Sequence, residues 1–277
     1  MLRVFTFLSL AVTGIALSAL LWDIISQGAT GISVDFLREL PQGSGRAGGI
    51  SSIIASTTLI VFIAVAVSLP IGLLTSVFLT LFCESNSRFA TCIRMALDLL
   101  ASTPSIVFGL FGSAFFCLYL GFGFSLLSGG LTLAFMILPF IVRFSEASIR
   151  ELPEEHLNNA YSLGFTHTGV FFKIILPLIA PALTAAIVLS VARALSETAA
   201  LLFTSGYVSR MPSSLFDSGR TLSVHIFDLS MNVPGGEKNA YSSALVLIII
   251  LVAINTATWL ASTSLSKRYG VVDESKK

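Results

Sequence analysis

Arg193 and Glu197 are ionisable groups inside an otherwise apolar run, and their spacing could do chemistry. Four positions apart, they share one face if the run is helical, with Ala186 and Ser190 continuing a small polar stripe. An ionisable group within an apolar span is costly to place there, which makes function the default hypothesis. Two roles fit the pair. Arg193 and Glu197 can neutralise each other and hold a helix in its bundle. Alternatively, Arg193 meets an anion, because a planar guanidinium offers bidentate hydrogen bonds to tetrahedral oxyanions, and Glu197 orients it or holds it when the site is empty. Arg143, at the end of another apolar run, is a second anion candidate, although an arginine there can also snorkel to a membrane interface.

The elements that must position these groups are membrane helices. The 277 residues are 55% hydrophobic and 11% charged, with a mean hydropathy of +0.90, whereas soluble domains carry about 25% charged residues. A net charge of +1 provides no basic field for nucleic acid and no acidic surplus for a disordered tail. Cys83, Cys92 and Cys117 lack paired metal-ligand spacing and read as small buried residues. His156, His167 and His225 fall in polar segments, where they are expected to be solvated or partner-facing, and no His/Cys/Asp cluster of catalytic spacing is visible.

The apolar runs predict an all-α membrane protein of about six transmembrane helices, since about 20 apolar residues cross a bilayer. The first run, Val4 to Ile25, is too long for a signal peptide and is expected to stay in the mature protein. The second runs from Ile50 to Cys83 with a kink at Pro70, the third from Ser105 to Leu120 after a mixed stretch Glu84 to Pro104, and the fourth from Ser125 to Phe144 with Pro139 inside. The fifth is expected from Ile174 to Phe203 and the sixth from Tyr241 to Leu265. Residues 1–49 thus hold the first helix and an outer segment. A core over 50–265 contains a charged loop at 146–173 and a polar outer loop at 204–240, and a tail follows at 266–277. Six crossings place ten basic residues with the termini and the 146–173 loop, against five on the opposite side. The excess marks the former side as cytoplasmic, so both termini are expected there.

The 146–173 loop is longer than a connection between membrane helices needs. Pro153 with Glu154 and Glu155 reads as a helix start, Gly164 as its end, and Thr166 as the cap of a second helix that stops being regular at Pro177. Asn158-Asn159-Ala160, three residues, Gly164, nine residues, then Ile174, one residue, Leu176 and Pro177 resembles the EAA loop of importer permeases in the ATP-binding-cassette class. Ala160, Gly164, Ile174, Leu176 and Pro177 fall in register, while Asn158 and Asn159 replace the Glu and Ala of that pattern. In that family the loop inserts a short helix into a groove on a separate ATPase, so these seven residues are expected to carry coupling. The chain has no G-x-x-x-x-G-K-[ST] phosphate-binding loop, so ATP and Mg are expected on the partner ATPase, with no cofactor bound here.

Pro104 to Gly112, Arg193 to Ala200 and Arg220 to Ile226 are similar to the phosphate-specific permeases of the A type. That resemblance covers most of the chain from Gly49 onward. It implies the type I importer permease (MetI-like) fold in a bacterial inner membrane. The implied partners are a homologous second permease, two ATPase copies and a periplasmic phosphate-binding protein, and arginines matching Arg143 and Arg193 act in translocation. Importers for sulfate, molybdate or phosphonate share the docking loop. An ion-coupled transporter or channel working alone would instead show paired repeats and buried coupling carboxylates, for which Glu197 is the clear candidate.

Overall fold

The computed structural model describes residues 2–84 and 87–269. Most of the tail expected at 266–277 lies outside the described residues. Helix α1 (Leu2–Gly28) is followed by a single tight helical turn, a short helix α2 (Val34–Arg38) and a two-residue antiparallel ladder, β1 (Pro41–Gln42) with β2 (Ala47–Gly48). Helix α3 (Ser51–Val77) contains Pro70 and ends in a wide turn, Phe78–Phe82. After α4 (Arg88–Ser102) come α5 (Ser105–Gly112), which a widened turn extends to Tyr119, and α6 (Leu126–Arg150). Two short helices follow, α7 (Glu154–Ser162) and α8 (His167–Val170), the latter running through Phe171–Ile175 into α9 (Leu176–Ser196). The remainder is α10 (Ala199–Leu202), α11 (Leu222–Met231) and α12 (Glu237–Tyr269).

Helices α3 and α6 form the centre of the bundle. Their backbones approach closely because small residues face the partner: a Cβ on Gly72 would stand 2.6 Å from Ile141, and one on Gly130 would stand 2.6 Å from Ile63. The order of these contacts, 63 with 130 and 72 with 141, makes α3 and α6 parallel. Parallel neighbours require the intervening chain to return across the bundle, and α4 with α5 provides that return. Ser105–Tyr119 is too short alone, about 22 Å at the helical rise against roughly 30 Å of hydrocarbon. The third crossing is therefore a broken one, in which α4 and the α5 segment meet at 102°. The break follows from Pro104, which disfavours the helical conformation in the residue before it: Thr103 is extended at φ −71°, ψ 130°. Among the described residues five helices are long and apolar enough to cross a membrane, and the bent pair, counted as one span, brings the number to six.

The first span packs chiefly on α12, held by hydrogen bonds from Tyr241 Oη to Asp23 Oδ2 (3.0 Å) and from Ser242 Oγ to the Gly28 carbonyl (3.1 Å). None of its apolar stretch is buried within the chain. Three expected boundaries shift. The fourth span continues past Phe144 to Arg150, so Glu146 is a helix residue in the bundle and not the start of a loop. The second loop helix, expected to lose its regularity at Pro177, loses it earlier, in the wide turn Phe171–Ile175, and is regular from Leu176 on, so that residues His167–Ser196 form one 30-residue helix. A proline in a helix removes one backbone donor and crowds the carbonyl four residues earlier, and the wide turn at Phe171–Ile175 makes room before Pro177. At its far end that helix stops at Ser196 rather than at Phe203.

Candidate functional site

Arg193 lies one turn before the end of α9, on the exposed side of the isolated chain. Its guanidinium sits over the Phe140 ring of α6, 4.9 Å from the centroid. Such stacking is worth about 0.5–1 kcal/mol at exposed sites and leaves the N–H edge of the guanidinium open. Among the described residues no hydrogen bond or ion pair engages that edge. The expected pairing with Glu197 on one helical face does not form. Ser196 turns its hydroxyl back onto the carbonyls of Ala192 (3.0 Å) and Arg193 (3.1 Å), a contact that weakens helix continuation. Glu197 is then extended at φ −75°, ψ 128°. Its Oε1 accepts from the Ala200 backbone N–H at 3.3 Å, satisfying the start of α10, and its carbonyl accepts from Ser223 Oγ of α11. Of the stripe below Arg193, Ser190 and Ala186 are buried and bonded to each other.

Arg143 follows Phe140 by three positions and so shares its face of α6. It forms an ion pair with Asp98 of α4 and also donates Nη2–H to the Arg94 carbonyl at 3.2 Å. Below it, Arg94 Nε donates to Glu146 Oε1 at 2.9 Å and Arg150 Nη2 to the same oxygen at 3.0 Å. Glu146 is buried, at 6% side-chain exposure, and a charge at that depth is stable only with partners of opposite sign. Arg94, Arg143, Glu146, Ala147 and Arg150 line an open cleft of about 390 Å³. Asp98, Arg94 and Glu146 escaped the sequence reading because they meet across separations of 45 to 52 residues. The Glu146–Arg150 spacing of four was the available signal.

The 154–175 element is built as its sequence reads. Thr166 Oγ1 accepts from the Gly169 N–H at 3.2 Å, capping α8. Gly164 closes α7 at φ +80°, a conformation natural to glycine, and the Phe165 N–H reaches back to the Ala160 carbonyl at 3.2 Å. Ala160 is buried with Val77, Ile149, Val170, Ile175 and Ile179, so a small side chain lets α7 lie flat on the ends of α3 and α6. Ile174 and Phe171 pack on the same cluster, while Leu176 and Pro177 are partly buried where the turn becomes α9. The outward surface presents Asn158, Asn159 and Gly164, with Leu163 at 77% and Phe172 at 59% exposure. These are large apolar side chains beside the polar Asn158 and Asn159.

At the other end of the bundle, His225 is fully buried, correcting the expectation that it is solvated. It packs against Gly45, beside the short ladder, and accepts from Arg220 Nη1 at 3.3 Å through Nδ1. Arg220 also pairs with Asp228 at 3.0 Å and donates Nε–H to the Tyr207 carbonyl at 3.0 Å. Burial, with the Arg220 charge beside it, pushes the His225 imidazole down to about 4, so it is neutral at ordinary pH. His167 is hydrogen-bonded to Tyr161 Oη at 3.0 Å and packs on Phe82, and the His156 side chain lies outside the described residues; of the three cysteines expected to be buried, Cys117 is, whereas Cys83 is half-buried and Cys92 exposed.

Comparison with known proteins places this architecture. Residues 68–271 match the family described as binding-protein-dependent transport system inner membrane component. The probable ABC transporter permease protein YqgI of Bacillus subtilis is 28% identical, covering 86% of each chain. The phosphate transport system permease protein PstA 1 of Mycobacterium tuberculosis is 31% identical over 91% of this chain and 84% of its own. Among solved structures, a bacterial alginate ABC transporter in complex with its alginate-bound periplasmic protein superposes with a TM-score of 0.67 at 12% identity, over 97% of this chain and 94% of that one. The MetNI methionine ABC transporter does so with a TM-score of 0.59 at 18% identity, over 78% and 94%. The fold is thus the MetI-like importer permease fold, and the chain belongs to the family of inner membrane components of binding-protein-dependent transport systems, with relatives of the PstA type.

Proposed function

We propose that this subunit forms half of the path by which an importer moves inorganic phosphate across a bacterial inner membrane. The observation that carries the reading is the Arg193 guanidinium, held by its face on Phe140 and open at its hydrogen-bonding edge, with Arg143 on the same face of α6 nearer the 154–175 element. Two arginines in sequence suit a tetrahedral oxyanion, which each can grip bidentately and pass on. The PstA names of the relatives favour phosphate among the oxyanions. Glu197 serves this path by ending α9 beside Arg193 and fixing α10.

The exposed Leu163 and Phe172 beside Asn158, Asn159 and Gly164 fit insertion into a groove of an ATPase, two copies of which would hold ATP and Mg. A homologous second permease would close the path opposite Arg193, and a periplasmic phosphate-binding protein would deliver the cargo. With ATPases in the cytoplasm, both termini lie there too, in agreement with the ten-to-five distribution of basic residues.

Two measurements test this reading. The assembled transporter in liposomes is expected to take up labelled phosphate with ATP and the binding protein present. Excess sulfate, molybdate or phosphonate is not expected to compete, and uptake of one of these instead would reassign the cargo. For orientation, a cysteine at Ser214 in a chain otherwise free of cysteine is expected to react with an impermeant reagent from the periplasmic side, and one at Ser162 is not. The reverse pattern would invert the topology.

A further inference from the structure

On the reading that Arg143 belongs to the anion path, we propose that Asp98 is a gating residue: its carboxylate is the resident anion of Arg143, exchanged for the cargo as the cargo leaves. Arg143 and Asp98 pair directly, and both remain solvent-accessible, at 38% and 64% side-chain exposure. The neighbouring Arg94–Glu146 pair is of a different kind, at 19% and 6% exposure. The two pairs sit side by side between α4 and α6, because 94 and 98 on α4 and 143 and 146 on α6 are each one turn apart. Their signs alternate: Arg94 meets Glu146, and Asp98 meets Arg143.

The buried pair anchors α4 to α6, since removing either partner would strand a charge away from water. The exposed pair has no such anchor role. An ion pair open to water contributes about 0–1 kcal/mol to stability, so it opens at little cost. Arg143 keeps its position when the pair opens, because its Nη2 also donates to the Arg94 carbonyl on the anchored helix. A multiply charged oxyanion can therefore take the place of Asp98 on a guanidinium that is already oriented. When the carboxylate returns, it competes the anion off toward the cleft lined by Arg94, Arg143, Glu146, Ala147 and Arg150. No second anion is needed, and the empty site is never left with an uncompensated cation.

Accumulated product distinguishes a competing carboxylate from a merely structural pair. Without the carboxylate, phosphate inside the vesicle re-enters the site more readily and inhibits further uptake. The test uses the complete transporter in liposomes with ATP inside, labelled phosphate and binding protein outside, and increasing unlabelled phosphate inside. For Asp98→Asn the internal phosphate giving half-inhibition is expected to fall about fivefold, the equivalent of one exposed ion pair. Asp98→Glu keeps a carboxylate and should behave as the parent protein, and Asp98→Ser serves the same comparison if the asparagine variant assembles poorly. The exchanged pair, Asp98→Arg with Arg143→Asp, should assemble and import little. Unchanged half-inhibition in Asp98→Asn and Asp98→Ser, or restored import in the exchanged pair, would overturn the gate and leave a structural contact. Failure of the parent protein to import phosphate would count against the cargo assignment instead, and the series would then be read with the oxyanion it does import.

Discussion

Arg193→Gln is expected to leave the transporter assembled and to lower phosphate uptake about 100-fold, the loss of a charge-assisted contact made by a preorganised guanidinium. Folding should be little affected, because Arg193 is exposed in the chain and its loss strands no carboxylate. Glu197 is already satisfied by the Ala200 N–H. Arg193→Lys keeps the charge and loses the planar fork, so uptake should still fall about tenfold or more. Combining Arg193→Gln with Glu197→Gln should rescue nothing, since the two side chains do not pair. Glu197→Gln alone should cost about 1 kcal/mol or less, the scale of a helix cap, with a mild effect on transport. Labelled uptake at matched expression decides the matter: near-normal import by Arg193→Gln would remove Arg193 from the path.

Gly164→Asp should abolish ATP-driven import while membrane insertion persists. At φ +80° a non-glycine residue costs about 1–2 kcal/mol, a local strain that a helix of the bundle does not feel. Nothing within 4 Å would meet an added Cβ, so the side chain projects outward, where on the proposed function an ATPase groove closes on α7. A carboxylate there adds bulk and charge next to the apolar Leu163. Gly164→Ala carries the same backbone strain without the charge and should retain a larger share of coupling. Copurification of the ATPase with each variant, read alongside vesicle uptake, separates the two contributions. Normal import by Gly164→Asp would show that α7 is not the docking element.

The two short helices of the 154–175 element were legible because their signals are short-range: Pro153 before α7, Gly164 after it and Thr166 before α8 act within one turn of themselves. Six crossings were legible for a similar reason, since apolar length needs no knowledge of neighbours. The third span begins at Ser105 as expected, but the 102° turn between it and α4 was not legible, because Pro104 marks an edge without giving the direction of the helix before it. The i,i+4 logic failed at Arg193 and Glu197 because the Ser196 hydroxyl and the bond from Ser223 on a distant helix favour an extended Glu197. His225 looked polar by its surroundings in sequence and is buried by Gly45, which lies 180 positions earlier. The Arg94–Glu146–Arg150 group likewise exists only once α4 lies on α6.

The unbroken helix from His167 to Ser196 has a mechanical meaning. Its 30 residues make a rod of about 45 Å at the helical rise, joining the 154–175 element to Arg193. The rod is packed at both ends, Ile175 and Ile179 beside α3 and α6 close to α8, and Ala194 and Leu195 in the central cluster next to Arg193. Travel imposed at the α8 end is thereby carried to the arginine as a movement of the whole helix. Beyond it the extended joint at Glu197 is tied to α10 through the Ala200 N–H and to α11 through Ser223, so the same movement reaches both.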